Sequence, residues 1–172
     1  MVVIGIISLL ATMIVPALRN LMPRSERKQF IADLNGLTAF AWRNALVTNK
    51  IHIISFNGRN VSVSAVAPGE TEKDALGQPK SSPVRVPYLK SSLVMPNSLE
   101  IQQFIIEGID EMANKERKTF KAWFFIMPNG LTQEITINLV DKKDRVAAGA
   151  RRVGLVLNPF TAQFAVYDEF KK

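Results

Sequence analysis

The chain has 172 residues, carries 22 Lys and Arg against 15 Asp and Glu for a formal net charge of +7, and contains no cysteine. This length supports one domain with a core of its own. The absence of cysteine excludes a disulfide-stapled module and any cysteine metal site, though not an oxidising compartment. The basic balance favours anionic partners, whether nucleic acid, anionic lipid or an acidic subunit face. The cations are spread along the chain, however, and read first as solvated surface.

Met1 to Leu18, MVVIGIISLLATMIVPAL, holds no charged residue. As a helix it would be about 27 Å long, slightly short of a hydrocarbon core of about 30 Å. It is apolar all round, so a buried soluble helix would need a partner on every side. A secretory signal peptide would open on basic residues and close on a small-residue cleavage site; here Arg19 follows the run directly. The segment is therefore read as a marginal membrane span carried by Val2, Val3, Ile4, Ile6, Ile7, Leu9, Leu10 and Ile14, with a kink at Pro16. Pro23 should bend the chain near the membrane surface. Arg19, Arg24, Arg27 and Lys28 pull that flank toward the cytoplasm under the positive-inside rule. The opposite orientation needs a basic flank before the run.

From Ser25, a reasonable N-cap, the pattern turns amphipathic. Lys28 stands where a capping box would have an acid. Phe30, Leu34, Leu37 and Ala41 recur at helical spacing with Ile31 and Ala45 beside them, which places Arg27, Lys28, Asp33 and Asn35 on other faces. The helix should end near Val47, before Thr48-Asn49-Lys50. Gly36 inside it costs about 1 kcal/mol relative to Ala.

Strands are then expected at Ile51 to Phe56 and Val61 to Val66, around a connection of Asn57-Gly58 lengthened by Arg59 and Asn60. Ala67 to Pro83 reads as an exposed loop. Val84 to Tyr88, Leu93 to Met95 and Leu99 to Ile106 read as strands, and Glu107 to Lys118 as a polar connection. Thr119 to Met127 is the strongest strand, turned by Pro128-Asn129-Gly130 toward Ile135 to Val140. Asp141 to Ala150 reads as a charged loop, followed by a hairpin of Arg152 to Leu157 and Gln163 to Tyr167 around Asn158-Pro159. The expected class is α+β: a long N-terminal helix, membrane-embedded in its first half, packed on a mostly antiparallel β-domain. The divisions are 1–18 for the membrane segment, 19–50 for the amphipathic helix and 51–172 for the β-rich domain.

VVIGIISLLATMIVPAL resembles the N-terminal helix of type IV pilins and type II secretion pseudopilins, in which an apolar run rich in small residues carries a late Pro, matched here by Pro16. LNGLTAFAWRNALVTNKIHIISF resembles the helix-to-strand junction of H-type minor pseudopilins, AWFFIMPNGLTQEITINL their central strand, turn and strand, and RRVGLVLNPFTAQFAV their closing hairpin. The chain is read as an N-terminally truncated member: the family's basic leader, its cleavage site and the assembly glutamate are not among these residues. The resemblance implies a pilin-like fold and a structural subunit that assembles through residues 1–18 as a filament-core helix, with no cofactor and no catalysis. Its partners would be other pilin or pseudopilin subunits, an inner-membrane assembly platform and the lipid bilayer. It implies a single-pass inner-membrane location with the C-terminal domain in the periplasm.

The residues give little support to chemistry. His52, the one histidine, alternates with Ile51 and Ile53 and is expected on the solvent face of a strand. No nucleophile–base pair or Ser elbow surrounds it, so a membrane-anchored periplasmic enzyme is the weakest alternative. Asp110, Glu111 and Glu116 lack the form of a calcium loop, and Asp168 and Glu169 read as surface charge. Trp42, Trp123, Phe124 and Phe125 are expected to pack helix on sheet. Lys142, Lys143, Arg145, Arg151 and Arg152 form the one plausible anion or DNA contact, the basis for a DNA-uptake minor pilin as the alternative function. Asp141 and Asp144 dilute that set, and phosphate binding by such a loop is salt-sensitive and indifferent to sequence.

Overall fold

The computed structural model describes residues 26–66, 81–84, 91–113, 120–146 and 149–171. The apolar segment, Pro16, Pro23 and the Ser25 cap lie outside them. Among the described residues no helix is long and apolar enough to cross a membrane. Residues 26–48 are helical (α1). The spacing of apolar side chains accounts for how α1 lies: Phe30, Ile31, Leu34, Leu37, Ala41 and Ala45 are all buried, while Gly36 is exposed with open space around it.

Ten strands follow: β1 (His52–Asn57), β2 (Asn60–Val66), β3 (Ser81–Pro83), β4 (Ser92–Val94), β5 (Leu99–Ile106), β6 (Ile109–Asp110), β7 (Lys121–Ile126), β8 (Ile135–Val146), β9 (Gly149–Asn158) and β10 (Gln163–Tyr167). They form two antiparallel sheets. The first runs β3-β2-β1-β7, with β4 sharing the β2 edge with β3; the second runs β10-β9-β8-β5-β6. One core joins them to α1, with Ile54, Phe56, Val61, Val63 and Phe124 from the first sheet and Phe104, Ile137, Leu139, Leu155 and Phe164 from the second. Phe56 meets Phe104 edge-on at 5.0 Å between centroids, and Phe124 meets Phe164 at 6.5 Å. These pairs cross from sheet to sheet in the geometry aromatic quadrupoles prefer.

Several elements depart from the sequence reading. Asn57 pairs with Asn60, so Gly58 and Arg59 alone make a two-residue turn, with Gly58 at φ 59°. Glycine at the first central position suits such a tight hairpin. Glu107 and Gly108, both left-handed at φ 50° and 84°, close a second tight hairpin onto β6, where a polar connection was expected. Of the expected strand at Val84 to Tyr88, Val84 lies outside any strand and the remainder outside the described residues. The presumed charged loop at Asp141 to Ala150 is the end of β8 and the start of β9, broken by a bulge between Asp141 and Arg145. A bulge admits charged residues into a strand because it releases them from the ladder.

The second sheet is covered on its outer face as well. Asn138 and Gly154 stand opposite each other in the β8–β9 register, on the face away from Ile137 and Leu155. The chain end crosses over them: Asn138 Nδ2 donates to the Lys171 carbonyl at 2.7 Å, and Lys171 N donates to Asn138 Oδ1 at 3.0 Å. A Cβ on Gly154 would come within 2.5 Å of the Glu169 carbonyl oxygen. Gly154 is thus required by close passage of the backbone.

Candidate assembly face and its charged junction

Arg27, expected on a face other than the apolar stripe, occupies the first position of the buried stripe, one turn before Phe30 and Ile31, and is only 8% exposed. Its Nη1 donates to Asp144 Oδ2 at 2.7 Å and to Asp141 Oδ2 at 3.1 Å. Asp141 is fully buried. Its other oxygen accepts the backbone N–H groups of Lys143 and Asp144 at 3.1 and 3.2 Å, which holds the bulge in shape. A buried carboxylate is tolerable only with such partners. The junction therefore fixes the start of the described helix on the β-domain.

Three of the five basic candidates meet acids instead of forming a bare patch. Lys142 pairs with Glu100, and Lys143 lies 3.3 Å from Glu26, which also accepts from Ser98 Oγ at 3.0 Å. Arg151 Nη1 donates to Asp168 Oδ1 at 2.9 Å. Its Nε lies 2.9 Å from Asp144 Oδ2, an ion pair that does not meet hydrogen-bond geometry. The Asp168 hydrogen bond, aided by Asp144, raises the Arg151 pKa further above its ordinary value. Arg152 lies 5.3 Å over the Phe170 ring, and Arg145 is exposed on β8 opposite Ala150. Of the acids that interrupt the basic run, Asp144 meets Arg151 and Asp141 meets Arg27.

The remaining candidates have structural surroundings. His52 is buried, 2% exposed, with Nδ1 at 3.1 Å from the Lys50 carbonyl, contrary to the expected solvent-facing position. Burial pushes its pKa below the usual histidine value, the hydrogen bond to Lys50 opposes that, and the Lys50 charge adds to it. Asp110 accepts the backbone N–H of Phe104 and of Met112, at 3.2 and 2.9 Å, and so closes the β5–β6 hairpin. Asn35, also expected on an outer face, pairs its amide with β10: Phe164 N donates to Oδ1 at 2.6 Å and Nδ2 donates to the Phe164 carbonyl at 3.3 Å. That side chain serves the edge strand as a further strand would. Trp42 packs on the core and donates from Nε1 to the Gly130 carbonyl at 2.7 Å, as helix-on-sheet packing requires.

The signal for Arg27 was present in the sequence: it falls in register with Phe30, Ile31 and Leu34, and a charged residue in an apolar stripe marks a buried partner. Which acids meet Arg27, across 114 and 117 residues of chain, could not be read from local spacing.

No protein-family model and no curated sequence matches the chain. Among solved structures, it is similar to two structures of the minor pseudopilin EpsH from the type II secretion system of Vibrio cholerae. One aligns at a TM-score of 0.54 and 9% identity, covering 83% of this chain and 97% of EpsH. The other aligns at 0.55 and 10% identity, covering 86% and 97%. The likeness is one of fold: a helix packed on two antiparallel sheets, like the type II secretion minor pseudopilin.

Proposed function

We propose that the protein is a structural subunit of a type II secretion pseudopilus and catalyses no reaction. Before assembly, Met1 to Leu18 would sit in the bacterial inner membrane, and afterwards it would bundle with the helices of neighbouring subunits. The β-rich domain would lie in the periplasm, and an inner-membrane assembly platform would draw the subunit into the filament. The observation that carries this reading is the fold likeness to EpsH, which extends over nearly all of that protein. The all-round apolarity of the first 18 residues supports the anchor. The pairing of Lys142, Lys143 and Arg151 with acids supports a structural role over DNA binding.

The test is fractionation of cells expressing the chromosomal gene with all its upstream codons, followed by isolation of sheared pseudopili. The protein should be recovered with the inner membrane and, in small amount, with the major subunit in the sheared fraction. Recovery only among soluble proteins, absent from sheared filaments, would contradict the reading.

A further inference from the structure

Trp123, expected to pack helix on sheet, lies on the other face of the first sheet instead. Phe124 is level with Ile54 and Val63 in the core, so the next row across the strands, Ser62, Ser55 and Trp123, is on the opposite face. The row beyond it on that face is Asn60, Asn57 and Lys121. The face is closed at Ile53, which is fully buried, and opens from Ser55 onward into a groove of about 460 Å³. Small-ligand sites typically hold roughly 300–1,000 Å³. Side chains of β1, β2 and β7 line the groove, and β3 and β4 complete it.

The polar groups of this groove are unclaimed. Trp123 is half-buried and its indole N–H meets no acceptor among the described residues. The side chains of Asn57, Ser62, Ser64, Ser92 and Lys121 likewise meet no partner there. Trp42, Asn35 and Asn138 differ, since each finds its hydrogen bonds within the chain. An aromatic face beside hydroxyls, an amide and a free indole N–H suits a sugar. The C–H bonds of a pyranose lie on the negative face of the indole, while its hydroxyls both donate to and accept from the side chains around it. A peptide would add to a strand edge, but the β2 edge is taken: Val63 N donates to the Ser91 carbonyl at 2.9 Å and Val84 N to the Val63 carbonyl at 3.5 Å. A nucleic-acid strand would need a line of cations for its phosphates, and among the described residues Lys121 is the one cation in the lining. We infer that the outer face of the first sheet binds a saccharide chain, with a pyranose ring stacked on Trp123. The inference rests on the groove alone and does not depend on the pseudopilin reading.

The test is isothermal titration of the full-length protein, held in a detergent without a sugar headgroup, with three glycans. These are cellohexaose, chitohexaose and peptidoglycan glycan strands freed of their peptides. At least one should bind saturably. A preference for the two acetamido glycans would assign the site to cell-wall strands, and a preference for cellohexaose to a soluble polysaccharide. Trp123→Ala should weaken binding about tenfold, and Trp123→Phe should keep most of it. Ser62→Val/Ser92→Val should also weaken it with an unchanged melting temperature, since neither hydroxyl has a partner in the fold. Absence of saturable heat with all three glycans would overturn the inference. So would equal affinity in Trp123→Ala, or Trp123-dependent binding of a single-stranded oligonucleotide or an unstructured peptide in place of the glycans.

Discussion

Loss of the Arg27 guanidinium would leave the fully buried Asp141 carboxylate facing Asp144 without its cation. Removing one partner of a buried pair costs about 3–5 kcal/mol, because the other charge stays buried. Arg27→Met should therefore lower stability by that order in urea unfolding. Adding Asp141→Asn and Asp144→Asn to it should recover part of the loss; equal stability of Arg27→Met and wild type would dismiss the junction as surface charge. His52 gives a second test at this scale. Its folded pKa lies below the unfolded value of about 6.5, so the unfolded chain binds the proton more readily. The stability this contributes is complete above about pH 6.5 and is lost as pH falls toward the folded pKa. His52→Gln should lose less stability than wild type as pH falls below about 6.5. Parallel curves would show that His52 does not titrate differently on folding.

At the scale of elements, α1 depends on its stripe meeting both sheets. Leu34 is fully buried within it, and Leu34→Asp would bury an unpaired carboxylate at a cost of several kcal/mol. An unchanged melting temperature would refute the helix-on-sheet arrangement. The stripe itself was legible because a helix buried on one side writes its period into the chain, and β5 and β10 were legible as bounded runs of strand-forming residues. The end of β8 was not, because Lys142, Lys143 and Asp144 look like a loop by composition. Their place in a bulged strand depends on Arg27, which is distant in sequence. Nor could His52 be placed, because the alternation of β1 tells which residues share a face but not that both faces are covered: Ile53 and Ile54 are as buried as His52. The chain-end crossing over Asn138 was equally invisible, although Gly154→Val should expose it. That variant would displace the Glu169–Lys171 segment from β9, and amide hydrogen exchange near Asn138 should accelerate. Unchanged protection there would mean the tail does not depend on the glycine.

At the scale of the molecule, the first end of α1 is a neutralised ionic junction, in which Arg27 meets Asp141 and Asp144. A DNA-uptake pilin would require the cations of the first end to be available to phosphates. Since most of them meet acids, the purified protein should bind duplex DNA only weakly, with a Kd of about 10⁻⁴ to 10⁻⁶ M at physiological salt. Arg151→Ala/Arg152→Ala should change that little, whereas tight binding that collapses in the double variant would favour the DNA reading. The most direct test of the central claim is the location of type II secretion substrates in a strain lacking this gene. The account predicts that they accumulate in the periplasm and that the full-length gene restores their export. Undiminished export in the deletion strain, accompanied by a loss of DNA uptake, would contradict it.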